Sequence, residues 1–474
     1  MKETIKSICP ASGKCSGCQL GNLNYEEQLK LKQKKLNSLM YGICRPEKIV
    51  GSPKMFRYRN KASAVFFEDK NKNIRWGIYQ SVAGSVCACG GCMLQPEAAD
   101  KIFNDIAALL KSFKIKLYDP KSKTGFFRFA RLRFNKDFTQ AMLILVTADG
   151  EFPKARSFVN AVVKKHPEIV SVVQNVYTGD AVLMTGEKDT VLYGGGYVED
   201  ELCERRFRVS AQSFYQVNAA QTERLYSSAV ELAELDTSTT FLDAYCGTGT
   251  VGIIAAKKAK RGIGVEINKS AVNDAEKNAA LNLCENIKFY CGDAGEFLEK
   301  SGETFGVVFT DPPRAGCSKK FLNSLCNSGV KKVVYISCNP ETLARDLRFL
   351  IKNGYSVDKL IPFDMFPQTS HIETVALLVR NISTKDYVTI EVRPEELELG
   401  SLKTHGTYEE IKSYVLNKYG FKISTLNISQ VKRKCGLDVG EAYNKPKKQN
   451  SKVPNCSPEK EKAIMDALKH FNMI

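Results

Sequence analysis

Apolar residues along the chain fall into three patterns. From Thr240 onward, short apolar runs recur at regular intervals: Thr240-Phe-Leu-Asp243, Arg261-Gly-Ile-Gly-Val-Glu266, Ile287-Lys-Phe-Tyr290, Gly306-Val-Val-Phe-Thr310 and Lys332-Val-Val-Tyr-Ile-Ser337. Such runs suit strands buried on both faces, and helix-like segments separate them. The alternation predicts an α/β, doubly wound and mostly parallel sheet, ending with a strand at Thr374-Val-Ala-Leu-Leu-Val379. Upstream the pattern is mixed. A Lys-rich helical stretch, Tyr25-Glu-Glu-Gln-Leu-Lys-Leu-Lys-Gln-Lys-Lys-Leu36, precedes β-rich runs at Ala62-Ser-Ala-Val-Phe-Phe67, Arg75-Trp-Gly-Ile-Tyr79, Gln140-Ala-Met-Leu-Ile-Leu-Val146 and Ile169-Val-Ser-Val-Val173. Beyond Asn381, Tyr408-Glu-Glu-Ile-Lys-Ser-Tyr-Val-Leu416 reads as an amphipathic helix. A polar stretch, Lys445-Pro-Lys-Lys-Gln-Asn-Ser-Lys-Val-Pro454, then leads to a last helix ending His470-Phe-Asn-Met-Ile474. Three domains follow: 1–205, α/β with a cysteine-bearing edge; 206–384, the doubly wound sheet; and 385–474, an accessory piece.

Charge changes the picture next. The 69 Lys+Arg against 52 Asp+Glu leave +17 over 474 residues, a balance that suits a polyanionic partner. The amino terminus, MKETIKSICP, has no apolar core for a signal peptide, and no run approaches the roughly 18 apolar residues of a membrane span. A cytoplasmic protein with no membrane association is expected. In that reducing compartment the 16 cysteines should be metal ligands, catalysts or small buried side chains rather than disulfides.

Candidate chemistry lies just past the strand ends, where open α/β sheets bind ligands. Asp243-Ala-Tyr-Cys-Gly-Thr-Gly-Thr250 follows the first strand of the regular sheet, its glycines allowing a tight turn and close backbone approach. Glu266 ends the next strand 19 residues after Gly247, placed to accept from two ribose hydroxyls, and Asp293 after the third strand suits an adenine amino group. The third glycine of the dinucleotide fingerprint is missing from register, so S-adenosylmethionine fits better than a dinucleotide. Strand five runs into Ser337-Cys338-Asn339-Pro340, with Asn as helix cap and Pro at the first helical position. A thiol beside a helix amino terminus is expected to have a lowered pKa. Asp311 and Arg314, in Thr310-Asp-Pro-Pro-Arg-Ala-Gly316, should share this rim with His371 and Glu373, and Ser213-Phe-Tyr-Gln216-Val-Asn218 lies just upstream of the sheet.

The motifs FYQVN, LDAYCGTGT, TDPPRAG, ISCNP and SHIET, in this order over about residues 205 to 380, resemble those of the RNA 5-methyluridine methyltransferase family. The resemblance implies that Gln216, Tyr245, Glu266 and Asp311 contact the cofactor or the target base. It also implies Cys338 as nucleophile and Glu373 as general base. The chemistry explains these types: carbon 5 of uracil is too weak a nucleophile until a thiolate has added at carbon 6. A base must then take the carbon-5 proton, and the target base must leave its stack to be reached. His371 is expected to position Glu373 rather than to react.

Cys9-x5-Cys15-x2-Cys18 is a compact three-thiolate set, and Cys87-Ala-Cys89-Gly-Gly-Cys92 offers three candidates for a fourth ligand. Four thiolates suit an iron–sulfur cluster or structural zinc. The ribosomal-RNA branch of the resembling family carries a four-iron, 4Fe-4S cluster with its fourth cysteine in a Cys-x-Leu setting. Cys92-Met-Leu94 matches that setting, so the resemblance implies Cys9, Cys15, Cys18 and Cys92 as ligands and 23S ribosomal RNA as partner, with zinc the alternative metal. The other cysteines read as packing. Many members of that family carry a small β-barrel RNA-binding domain before this cysteine set, and the chain reaches Cys9 almost at once. RNA contacts are therefore expected from Phe56-Arg-Tyr-Arg-Asn-Lys61, which interleaves aromatics and cations, and from the basic stretches of 385–474, including Gln430-Val-Lys-Arg-Lys434. Two other functions compete: a transfer-RNA uridine-C5 methyltransferase, and a catalytically silent RNA-binding or ribosome-assembly protein. No obligate protein partner is evident.

Overall fold

The computed structural model describes residues 9–381 except 10, 13, 81–84 and 89, together with 407–437 and 456–473 except 472. Cys89, the 445–454 stretch and the boundary expected at 384/385 lie outside the described residues. The chain forms two compact units, Met1–Asp386 and Tyr387–Ile474.

Unit one holds two seven-stranded sheets and a hairpin. Helix α1 (Tyr25–Leu39) comes first, then strands β1 (Lys61–Glu68), β2 (Ile74–Gln80) and β3 (Ser85–Cys87), helix α2 (Glu97–Ser112), β4 (Phe127–Phe134), β5 (Ala141–Thr147), α3 (Ala155–Lys165), β6 (Ile169–Val176) and β7 (Lys188–Tyr193). These strands pair in the order β3-β2-β1-β4-β5-β6-β7, parallel only between β5 and β6. The hairpin is β8 (Tyr197–Leu202) with β9 (Arg205–Ser210). Helix α4 (Ala219–Ala233) leads to the regular alternation of β10 (Thr240–Ala244), α5 (Thr250–Ala256), β11 (Arg261–Glu266), α6 (Lys269–Leu281), β12 (Ile287–Cys291), α7 (Ala294–Lys300), β13 (Val307–Thr310), α8 (Lys319–Asn327), β14 (Lys332–Ser337) and α9 (Pro340–Lys352). Two antiparallel strands, β15 (Tyr355–Phe363) and β16 (Glu373–Arg380), complete the second sheet in the order β12-β11-β10-β13-β14-β16-β15.

One apolar core runs from a face of the first sheet (Phe129, Ile144, Val146) through the hairpin (Val198, Phe207, Val209) and α4 (Leu225, Ala229) to the second sheet (Phe241, Phe309, Val334). The division expected at 205/206 therefore falls at the start of β9, inside a hairpin whose two strands bury side chains in this common core. Helix α1 is a second surprise. Although it precedes the first sheet in sequence, its Leu36, with Met40, packs among Leu343, Leu347 and Leu350 of α9 on the outer face of the second sheet. Unit two contains α10 (Tyr408–Tyr419), α11 (Thr425–Lys434) and α12 (Pro458–His470), which close on their own core of Ile411, Val415, Ile428, Val431, Ile464 and Leu468.

Candidate active site

Strand register collects the motif residues on one rim. Ala244 pairs with Val265 and Thr310, and Thr310 with Tyr335, so Tyr245, Glu266 and Asp311 leave the sheet along the same carboxyl edge. Ser337 pairs with Thr374 in the antiparallel step to β16, which makes Cys338 and Glu373 the next cross-strand neighbours. Two residues remote in sequence thus meet through one strand pairing.

The loop after β10 is bent by three left-handed residues at alternate positions, Tyr245 (φ 62°), Gly247 (φ 54°) and Gly249 (φ 78°). A non-glycine residue there costs about 1–3 kcal/mol, and the Tyr245 ring is held edge-on to Phe321 at 5.3 Å between centroids. A Cβ added at Gly249 would meet the Phe289 ring at 2.8 Å, whereas one at Gly247 would meet nothing within 4 Å, so Gly247 faces open space. Asp243 accepts from the Gly252 amide at 2.8 Å inside the turn. Glu266 accepts from the Gly247 amide (3.1 Å) and from the Asn268 amide (2.9 Å), one on each oxygen, which fixes the carboxylate beside the loop with lone pairs left over. Asp293 caps α7 by accepting from the Glu296 amide at 2.9 Å.

Cys338, Asp311 and Glu373 are more deeply placed than the sequence suggests. Burial pushes the Cys338 thiol up to about 11, the nearby Glu373 and Asp311 carboxyls add to this, and Arg314 opposes them. This corrects the expected lowering by the helix. Asn339 already caps α9 by accepting from the Glu341 amide (3.1 Å), leaving Cys338 one residue outside the helix and beside two acids. Burial likewise lifts Asp311 to about 7. Glu373 is 2 % exposed, and burial first, then Asp311, raises its pKa well above the ordinary carboxyl range, eased by Arg314. A buried Glu373 coupled to a part-buried Asp311 favours sharing a proton. His371 is half-buried with its ring 6.0 Å from that of Phe366, and burial lowers its pKa, helped by Arg314 and Lys32.

Several supporting residues escaped the sequence reading. The Tyr226 hydroxyl on α4 lies near Gln216, Thr250, Asp311 and Glu373. Its place in a helical apolar stripe gave no polar signal. Asn60 donates to the carbonyl of Gln216 at 3.0 Å, and Arg133 to that of Ser213, so the first sheet holds the loop bearing Gln216. Fully buried Asp346 of α9 accepts from the Cys317 amide (2.9 Å) and the Tyr335 hydroxyl (2.8 Å), and Asn339 donates to the Arg314 carbonyl (3.1 Å), fastening the 311–317 loop.

Cys9, Cys15, Cys18 and Cys92 line one cavity of about 370 Å³ with Phe56, Arg59 and Lys61. Burial, then Cys92, Cys15 and Cys9, pushes the Cys18 thiol up to about 12. Cys87 is buried and within reach of Cys15. Among the described residues, no three Cys, His, Asp or Glu side chains converge on a single metal ion. The aromatic–basic stretch is only partly an open surface. Tyr58 is buried and donates to the Pro367 carbonyl at 3.0 Å, while Arg57 donates to the Cys92 carbonyl at 2.7 Å and the Gln95 carbonyl at 2.8 Å. Among the described residues no helix is long and apolar enough to cross a membrane.

Comparison with known proteins agrees with this geometry. An uncharacterized RNA methyltransferase of Halalkalibacterium halodurans is 37 % identical over 384 residues, covering 79 % of this chain and 84 % of the relative. One of Staphylococcus aureus is 35 % identical over 384 residues, with the same coverage of 79 % and 84 %. The Pyrococcus abyssi tRNA (uracil-54, C5)-methyltransferase in complex with S-adenosyl-L-homocysteine superposes with a TM-score of 0.65 at 29 % identity, covering 77 % of this chain and 86 % of that one. The sequence signature of the tRNA (uracil-5-)-methyltransferase family spans residues 24–381, and with the strand-end geometry and these likenesses the chain belongs to that family of S-adenosylmethionine-dependent RNA methyltransferases.

Proposed function

We propose that this protein methylates carbon 5 of a uridine in 23S ribosomal RNA, with Cys338 as nucleophile and Glu373 as general base. The observation that carries the reading is that Cys338 and Glu373 lie just past the Ser337–Thr374 cross-strand pair, close enough to interact electrostatically, on the same sheet edge as a glycine loop that faces open space. Bound S-adenosylmethionine would supply an electrophilic methyl group. Gln216, Tyr245, Gly247, Glu266, Asp293 and Asp311 are the residues that would hold it and the base, Glu266 at the ribose and Asp293 at the adenine. The Cys338 sulfur adds to carbon 6, giving up its proton, and the electron pair of the 5,6 double bond makes carbon 5 nucleophilic. After carbon 5 has taken the methyl group, Glu373 removes its proton. The freed pair re-forms the double bond, the carbon 6–sulfur bond breaks, and the thiolate departs. Because the thiol keeps its proton near neutral pH, a base must act in the pocket; the Asp311–Glu373 pair, carrying a single proton, would take the thiol proton and pass it to solvent, so that Glu373 is again ionised when the carbon-5 proton has to leave.

The cysteine cavity supports the ribosomal branch. Cys9, Cys15, Cys18 and Cys92 would hold a 4Fe-4S cluster. All four border one cavity, and zinc is the alternative metal for the same thiolates. A transfer-RNA target has its own support in the Pyrococcus abyssi neighbour, which is a tRNA (uracil-54, C5)-methyltransferase. Labelled methyl transfer to unmodified 23S RNA, 16S RNA and transfer RNA, with nucleoside analysis, separates these. We expect 5-methyluridine in 23S RNA. Label in transfer RNA alone keeps the chemistry and overturns the target, and label in none favours a silent RNA-binding protein.

A further inference from the structure

The segment that carries the first three cysteines also grips the loop that delivers Glu373. Residues 364–371 make up all but the last residue of the connection from β15 to β16, and Glu373 opens β16. Shortly after Cys18, the Leu20 amide donates to the Gln368 carbonyl at 3.0 Å. On α1, Gln28 closes a two-bond ring with Gln368, donating to its side-chain oxygen (3.0 Å) and accepting from its amide (2.9 Å). One turn later, Lys32 lies 2.5 Å from an Asp364 carboxylate oxygen and donates to the Phe366 carbonyl at 3.1 Å.

These contacts are too costly to be incidental. Gln28 and Lys32 are each 1 % exposed on a helix that is otherwise rich in lysine, and Asp364 is fully buried. Two well-packed apolar residues in place of such an ion pair often stabilise a fold, so its presence calls for another reason. Gln368 stands at φ 72°, a conformation that favours glycine, and it is held there by hydrogen bonds from two separate residues of the amino-terminal segment. The same Gln368 lines the cysteine cavity. Cys338, by contrast, is set by β14 and the α9 cap, on the other side of the strand pairing.

Taking Glu373 as the base of the proposed reaction, we infer that Gln28, Lys32 and Gln368 are positioning residues that fix the 364–371 loop, aim the Glu373 carboxyl at the carbon-5 proton, and make the cysteine segment part of the catalytic frame. Loss of the strap slows proton removal while sparing attack by Cys338.

Fluorine at carbon 5 separates the two steps, because it cannot leave as a proton and the methylated Cys338 adduct then accumulates. The test uses the full-length protein with 23S RNA containing either uridine or 5-fluorouridine. Two variants avoid stranding a buried charge or straining the backbone: Lys32→Met with Asp364→Leu, and Gln368→Gly. Lys35→Ala, which removes the exposed Lys35–Glu341 pair (2.8 Å) from the same helix, is the control. Adduct formation on fluorinated RNA should stay within about 2-fold of the parent, while product release from ordinary RNA falls about 10- to 100-fold and an adduct builds up on Cys338. Equal loss in both assays, or no loss in either, overturns the positioning role. A parent protein that methylates an RNA but forms no adduct on the fluorinated form of that same RNA overturns instead the reading of Cys338 and Glu373 on which it rests.

Discussion

Burial disfavours both anions the proposed chemistry needs, and at residue scale this was the least legible feature. The motif positions of Cys338, Asp311 and Glu373 could be read from the sequence, and strand register does bring them to one rim. The protonation state could not, because a cysteine before a helix cap suggests a thiolate and only the fold shows how far burial opposes the anion. Tyr226 stayed hidden for a related reason: a hydroxyl on an apolar stripe looks like core until its neighbours are known. The same physics makes the cofactor loop pH-sensitive. Burial lifts Asp243 from 3.8 to about 8 despite its bond from Gly252, and Asp311 to about 7. A carboxyl raised by folding contributes stability that is complete below its unfolded pKa and lost as pH rises through the folded one. The ligand-free protein should therefore lose stability between about pH 5 and 8, Asp243 contributing up to about 1.4 kcal/mol per pH unit. Asp243→Asn keeps an oxygen for Gly252 and should flatten thermal midpoints measured across that window. An unchanged slope would mean Asp243 is ionised throughout.

At the scale of elements, the regular β-α alternation was plain because doubly buried strands must be apolar. The five parallel strands and β16 start and end within a residue or two of their expected positions. Strand β15 was missed: it lies at the sheet edge, carries Pro362, and has an irregular register between Val357 and Lys359. Helix α11 was read only as a run of basic residues. Helix α1 is legible as a helix, but its Lys-rich composition gives no hint that Gln28 and Lys32 have buried partners across the chain. The cysteine segment raises a separate expectation. If Cys9, Cys15, Cys18 and Cys92 bind a 4Fe-4S cluster, anaerobically purified protein should contain about four irons and four sulfides, and Cys18→Ser should lose them. One zinc and no sulfide would contradict this.

At the scale of the molecule, the expected division at 205/206 dissolved because one core spans both sheets. Sequence pattern reveals where elements lie and not which apolar faces they share. The three-helix unit at the carboxyl terminus has a core of its own, and its basic turn is partly spent internally. Lys434 pairs with Glu461 at 2.7 Å, and Lys432 lies over the Tyr408 ring at 4.6 Å. An accessory RNA-binding role for it remains our proposal, supported by the overall charge of +17. Removing 385–474 should weaken RNA binding and reduce its salt dependence while leaving S-adenosylmethionine affinity unchanged. Calorimetry and filter binding on the same samples check this, and undiminished RNA affinity would rule out the role.

The central claim is that Cys338 forms a covalent adduct which Glu373 resolves. The most direct measurement is mass spectrometry of Glu373→Gln protein after incubation with S-adenosylmethionine and unmodified 23S RNA. A methylated uridine attached to the peptide containing Cys338 is expected, absent from Glu373→Gln/Cys338→Ala protein, with turnover reduced at least about 100-fold. Full turnover without any adduct, or an adduct on another cysteine, would contradict it.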